Sequence, residues 1–178
     1  MKQISLSIVV LLICCCAFPM SAKKYKWTYG EHPLLVYTTG QGKNRTQLIR
    51  AIAVAKNADK AISQAKMNAV EAALFTGIGF DESTHGMGVS NLLPLVSKEQ
   101  YEANETFFKE FFKQGTFLNF VSELNSNYPT GQNNMAVPGG RRVVVNLVLD
   151  YPSLRKYMED SGVTKELGSR LSELHPKS

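Results

Sequence analysis

The segment RAIAVAKNADKAISQAKMNAVEAALF, from Arg50 to Phe75, changes its small-residue period partway along. Alanines stand two apart at 51, 53 and 55, and then mostly three or four apart at 58, 61, 65, 69, 72 and 73. A spacing of two puts side chains on one face of a strand, and a spacing of three and four puts them on one stripe of a helix. Ile49, Ala51, Ala53 and Ala55 therefore share one strand face, with Arg50, Ile52, Val54 and Lys56 on the other. Asn57 is a good N-cap. Beyond it Ala58, Ala61, Ile62, Ala65, Ala69 and Ala72 form one helical stripe, and Lys60, Gln64, Met67 and Glu71 lie away from it. A single long helix also fits, because Leu48, Ala51, Ala55, Ala58, Ile62, Ala65, Ala69 and Ala72 keep a heptad-like spacing. The β-branched Ile49, Ile52 and Val54 favour strand followed by helix. Two alanine faces allow close approach, so the helix is expected to lie on the sheet that contains its own strand.

Other segments extend this pattern. HPLLVYTTG reads as a first strand, and GQGKNR as a turn in which Gly40 and Gly42 are free to take positive φ. The glycine-rich stretch from Thr76 to Ser97 reads as a long loop. SKEQ, starting at Ser97, has capping-box spacing. It opens a helix, KEQYEANETFFKEFFKQG, that carries Tyr101, Phe107, Phe108, Phe111 and Phe112 and stops at Gly115. TFLNFVSEL looks extended, and NSNYPTGQNNMAVPGG reads as a loop or long hairpin connection. RRVVVNLVLDY is the clearest strand. Its faces are Arg142, Val144, Asn146, Val148 and Asp150 against Val143, Val145, Leu147 and Leu149. A short helix follows Pro152, and a last amphipathic piece runs through TKELGSRLSEL. The expected fold is α+β: two layers, with a mostly antiparallel sheet of about four strands and helices on one face.

The amino-terminal MKQISLSIVVLLICCCAFPMSA places Lys2 before an apolar run from Ile8 to Phe18 and ends in Ser21 and Ala22. This is the layout of a secretory signal peptide, with cleavage expected after Ala22 and one domain over residues 23–178. All three cysteines, Cys14, Cys15 and Cys16, lie inside it. A chain cut there has no disulfide, thiolate metal site or cysteine nucleophile.

Chemistry-bearing motifs are sparse. The net charge of +5 is scattered along the 178 residues and comes with no nucleic-acid-binding motif, so no nucleic-acid partner is expected. GQGKNRT departs from a phosphate loop, since Tyr37 and Asn44 replace the required glycine and hydroxyl residue. His32, His85 and His175 stand far apart, at no metal-ligand spacing. Asp81 and Glu82 lack the regular oxygen spacing of a calcium loop. No catalytic residue, cofactor or metal follows from these residues. The aromatic helix is the feature best suited to binding, because Phe107, Phe108, Phe111 and Phe112 span about 150° of its surface at 100° per residue. Its candidate contact residues are Phe108, Phe112, Phe107 and Tyr101.

The strand-turn-strand that leads into AVAKNADKAISQAKMNAVEAALFTGIG resembles a recurring layout of bacterial envelope proteins. It is similar to flagellar-assembly FlgT N-terminal domains and to small membrane-associated antigen lipoproteins. RRVVVNLVLDYPSLRKYMEDSGV is similar to their closing element, so the likeness spans residues 34–80 and 140–165. The resemblance implies a non-enzymatic α+β module in an envelope assembly, and it brings no catalytic residues. The chain departs from those families in lacking a clear lipidation box and in inserting the Phe-rich helix. The expectation is an exported module, periplasmic or loosely attached to a membrane, that meets an envelope protein partner. The competing expectations are a secreted hydrolase with a site near loop 76–97 and a small-ligand carrier with a cavity under the Phe helix.

Overall fold

A computed structural model describes residues 35–80, 91–125 and 128–165. Strand β1 (Val36–Gln41) turns into β2 (Gln47–Ala55), which delivers the chain into helix α1 (Ala58–Glu71). The alanine segment is thus strand then helix, with the switch at Asn57, whose side chain accepts from the Lys60 N–H at 2.9 Å. After a π-helical turn over Ala72–Thr76 come the short β3 (Gly79–Phe80), α2 (Lys98–Ala103) and α3 (Glu105–Lys113). A 3-10 turn over Thr116–Phe120 precedes β4 (Val121–Glu123), and β5 (Asn134–Val137), β6 (Gly140–Leu149) and α4 (Tyr151–Asp160) complete the order.

The class is α+β. The sheet has six strands, two more than the expected four, in the order β3-β1-β2-β6-β4 with β5 also paired to β6. Only β1 and β3 run parallel. β4 pairs with Val121 opposite Leu149, and β5 with Asn134 opposite Val143, so both occupy the same edge of β6 and leave Val144–Asn146 between them. β5 lies within the segment expected as a connection. It forms a hairpin with β6 through Gly139, whose φ of 83° needs no Cβ.

The core lies between α1 and one sheet face. Ala51 faces Val145 across the β2–β6 ladder and Ala53 faces Val143, and all four are buried together with Ala58, Ala61, Ala65 and Ala69 of the helix. Small residues on both layers let the backbones approach, and bulk is supplied beyond them by phenylalanines.

Several local readings are corrected. In the β1–β2 turn the left-handed residues are Asn44 (φ 56°) and Arg45 (φ 62°), not the glycines. Gly42 serves close approach instead, since a Cβ there would come within 2.5 Å of Thr46 Oγ1. The aromatic helix is two helices, broken at Asn104, whose side-chain amide donates to the Gln100 carbonyl at 2.8 Å and competes with the helical ladder. Its capping box forms as expected: Ser97 N–H donates to Gln100 Oε1 at 2.8 Å, and Gln100 N–H to Ser97 Oγ at 3.2 Å. Residues 116–120 are a 3-10 turn rather than a strand, because Phe117 and Phe120, three apart, both turn inward. Glu71 is buried, at 2% exposure, although the alanine stripe placed it outside. The π-helical turn carries residues 72–75 into the interior, so the end of α1 is enclosed on every side.

Gly140 begins β6 against the end of β2. A Cβ there would stand 2.1 Å from the Ala55 carbonyl oxygen and 2.8 Å from its carbon. Because backbone cannot move aside as a flexible side chain does, Gly140→Ala is expected to cost roughly 2–3 kcal/mol in urea unfolding. A cost below half a kcal/mol would show that the β5–β6 hairpin yields.

Candidate functional site

The expected contact residues are core or half-core. Phe108 is 2% exposed. Its ring lies 5.0 Å from that of Phe75 and 5.6 Å from that of Tyr101. Phe107, Phe112 and Tyr101 are half-buried against the same cluster. Phe107 stacks on Phe111 at 6.1 Å, and Phe112 tilts against Phe117 at 5.6 Å. Of the four expected contact residues Phe108 is thus the most deeply buried, with its ring facing inward. The breadth of the aromatic arc is met by four inward neighbours: Phe75, Phe117, Phe120 and Tyr157.

Asp81, Glu82 and His85, in the loop of the competing hydrolase expectation, lie outside the described residues, as do His32 and His175 and the amino-terminal segment. The described ends of loop 76–97 are tied down: Leu95 N–H donates to the Ala73 carbonyl at 3.1 Å, and Val96 N–H to that of Leu74 at 2.8 Å. Among the described residues no cluster of histidine, cysteine and acidic side chains could hold a metal, and no helix is long and apolar enough to cross a membrane.

The opposite face of the sheet is built differently. Side chains alternate along a strand, so the residues between the buried positions point away from α1. The register sets them in rows across the sheet. Leu48 stands beside Val148, Tyr37 beside Arg50 and Asn146, Ile52 beside Val144, and Val54 beside Arg142 and Met135. Val54 is 55% exposed and Met135 47%. Tyr37, Arg50, Ile52, Arg142, Val144 and Asn146 floor a cleft of about 440 Å³, walled by Gln132 and Asn133 from the segment before β5. A second hollow of about 200 Å³ shares Asn133, Val144 and Asn146, and runs into the gap between β4 and β5 beside Glu123 and Tyr128.

The wall is braced from behind. Arg141 Nε donates to Asn134 Oδ1 at 2.6 Å and its terminal nitrogen to the Asn134 carbonyl at 2.9 Å. The Asn134 amide in turn donates to the Pro129 carbonyl at 3.0 Å. Among the described residues the larger cleft contains two guanidiniums, one phenol, three amides and two aliphatic side chains. Such a set offers many hydrogen-bond donors around two aliphatic side chains.

All three strands that floor the cleft are legible in the sequence, with Arg50, Ile52 and Val54 sharing a face of β2 and Arg142, Val144 and Asn146 a face of β6. Their meeting was not read. The available signal was four branched aliphatics, Ile52, Val54, Val144 and Val148, on a face that a sheet open to water would fill with polar residues. Compared with known protein families, with curated proteins and with solved structures, the chain matches none.

Proposed function

We propose that the chain is a non-enzymatic binding module of the bacterial cell envelope that meets its partner through the open face of its sheet. The carrying observation is the apolar rows of that face, on which Val54 is exposed and Ile52, Val144 and Val148 are half-buried. β2 and β6 are the two central strands, α1 covers one of their faces, and the other keeps Ile52, Val54, Val144 and Val148 with no layer on it among the described residues. Aliphatic rows left at the centre of a sheet mark a surface that is covered in use. The amino-terminal signal-like sequence supports export, and the likeness of segments 34–80 and 140–165 to envelope domains supports the compartment.

A photo-crosslinking residue placed at Val54 in living cells tests the reading. Val54 is expected to give a discrete protein adduct, and the same residue at Lys113, on the exposed side of α3, is expected to give none. Identical labelling from both positions, or none from Val54, would remove the open face as the contact surface. Phe108 is unsuited to such a test, because any change there disturbs the core.

A further inference from the structure

We infer that the segment KYKWTY, residues 24–29, lies across the open face as a removable cover, with Tyr25, Trp27 and Tyr29 seated on its aliphatic rows. The inference rests on the open-face reading above and adds the regulation of that surface: a partner reaches it by displacing the cover.

The first support is where the chain enters. Val36 pairs with Ala51, and the Leu35 carbonyl accepts from the Ile52 N–H at 2.9 Å, so Leu35 extends the row of Ile52 and Val144. Val36 is buried toward α1, and Leu35, at 44% exposure, stands on the open face. The chain thus reaches β1 from the end of the sheet where Val54, Arg142 and Met135 form the next row. The outer side of β1 is already taken, since β3 pairs there with Tyr37 and Thr38. The face toward α1 is filled by core. The open face is therefore the apolar surface that an incoming segment meets.

The second support is pattern. In KYKWTY three aromatic residues alternate with Lys24, Lys26 and Thr28. Such alternation gives an extended segment one apolar side and one polar side. Gly30 and Pro33 follow, residue types with which a chain turns. The segment precedes the described residues, and the stretch from Tyr25 to Leu35 reaches up to roughly 34 Å at about 3.4 Å per residue. Three strands set about 4.8 Å apart span only about 10 Å from β1 to β6. The three rings have length enough to cross them.

The third support is Arg142. It makes no hydrogen bond or ion pair among the described residues, whereas the neighbouring Arg141 spends its guanidinium on Asn134. It stands opposite Val54, in the row nearest the incoming chain. A guanidinium beside an aliphatic side chain is a favourable seat for an aromatic ring, and for tryptophan most of all.

Trp27 is the only tryptophan of the chain, so its fluorescence reports the cover directly. In the purified chain from Lys23 onward its emission is expected to be blue-shifted and shielded from acrylamide at every protein concentration. Val54→Asp should raise the quenching constant about threefold, by shifting the docked population about tenfold. Met135→Asp should act in the same direction, and Leu118→Asp, in the turn after α3, should change nothing. All three residues are about half-exposed, so the variants are expected to fold, which circular dichroism checks. A photo-crosslinking residue at Val54 of the purified chain should join to residues 24–29, as mass spectrometry of the digest reads. In cells, Tyr25→Ser, Trp27→Ser and Tyr29→Ser together should raise the yield of the Val54 adduct about threefold. Quenching of Trp27 that is equal in the native and urea-unfolded chain, or unmoved by Val54→Asp, would overturn the inference. Shielding that appears only at high concentration would overturn it in favour of a second copy. An exposed Trp27 with Val54 adducts retained in cells sinks the cover alone; absence of those adducts even in the triple-serine chain sinks the open-face reading.

Discussion

Glu71→Gln is expected to raise the Tm by about 10 °C near pH 7.5, and to leave it almost unchanged near pH 5. Glu71 sits at the enclosed end of α1, and its Oε2 is buried with no hydrogen-bond partner among the described residues. Burial pushes the carboxyl from 4.5 to about 8. The negative end of the helix dipole disfavours a charge there as well. Below the unfolded value both states hold the proton, and the group costs nothing through ionisation. Above it the folded chain must retain a proton that the unfolded chain releases. Stability therefore falls as pH rises from about 4.5, by about 1.4 kcal/mol per pH unit, and levels off near 8, where the folded carboxyl ionises too. Near pH 7.5 the deficit is about 4 kcal/mol, which glutamine avoids because it never charges. Urea unfolding of both proteins across this range checks the sign. Parallel stability curves would show that Glu71 ionises without cost in the fold.

Phe108→Ala is the largest expected loss, about 3–5 kcal/mol. Its ring is shared: Phe75 meets it edge-on at 5.0 Å, Phe107 edge-on at 5.3 Å and Tyr101 at a tilt at 5.6 Å. Removing it leaves a hollow among aromatic side chains that also pack on one another, so collapse around the hollow is limited. Phe107→Ala serves as the comparison. That ring is half-buried at the rim, and its removal should cost about half as much. Urea midpoints at unchanged slope measure both. Equal losses at the two positions would mean that the cluster packs loosely.

The parts of the fold that were readable are those in which one periodicity rules one segment. The handover at Asn57 was legible because the period changes there and a capping side chain marks the spot. β6 was legible because four buried aliphatics alternate with four residues that are not. The unreadable parts are set by tertiary surroundings. A stripe argument assumes one covered face, and Glu71 lies where the helix is covered all round. Phe117 and Phe120 fit a 3-10 turn as well as a strand, and packing on Phe111 and Phe112 decides between them. β5 has few strand-forming residues and exists through its register with Arg141–Val143. The site was hidden for a related reason. Aromatic residues draw attention in a sequence, but these are consumed by one another, while the cleft is made of ordinary residues from β1, β2, β6 and the segment before β5.

That distance has a consequence for how the chain matures. β1, β2 and α1 are neighbours in sequence, and they can assemble as soon as they are made. β2 then waits for β6, which pairs Gln47 with Leu149 and Ala55 with Arg141 from the far end of the chain. Long-range pairing of this kind slows folding and leaves a strand edge open in the interval. It also ties competence to completion. Arg50 and Arg142 arrive from opposite sides of that wait, so a truncated or half-folded chain carries only half of the open face.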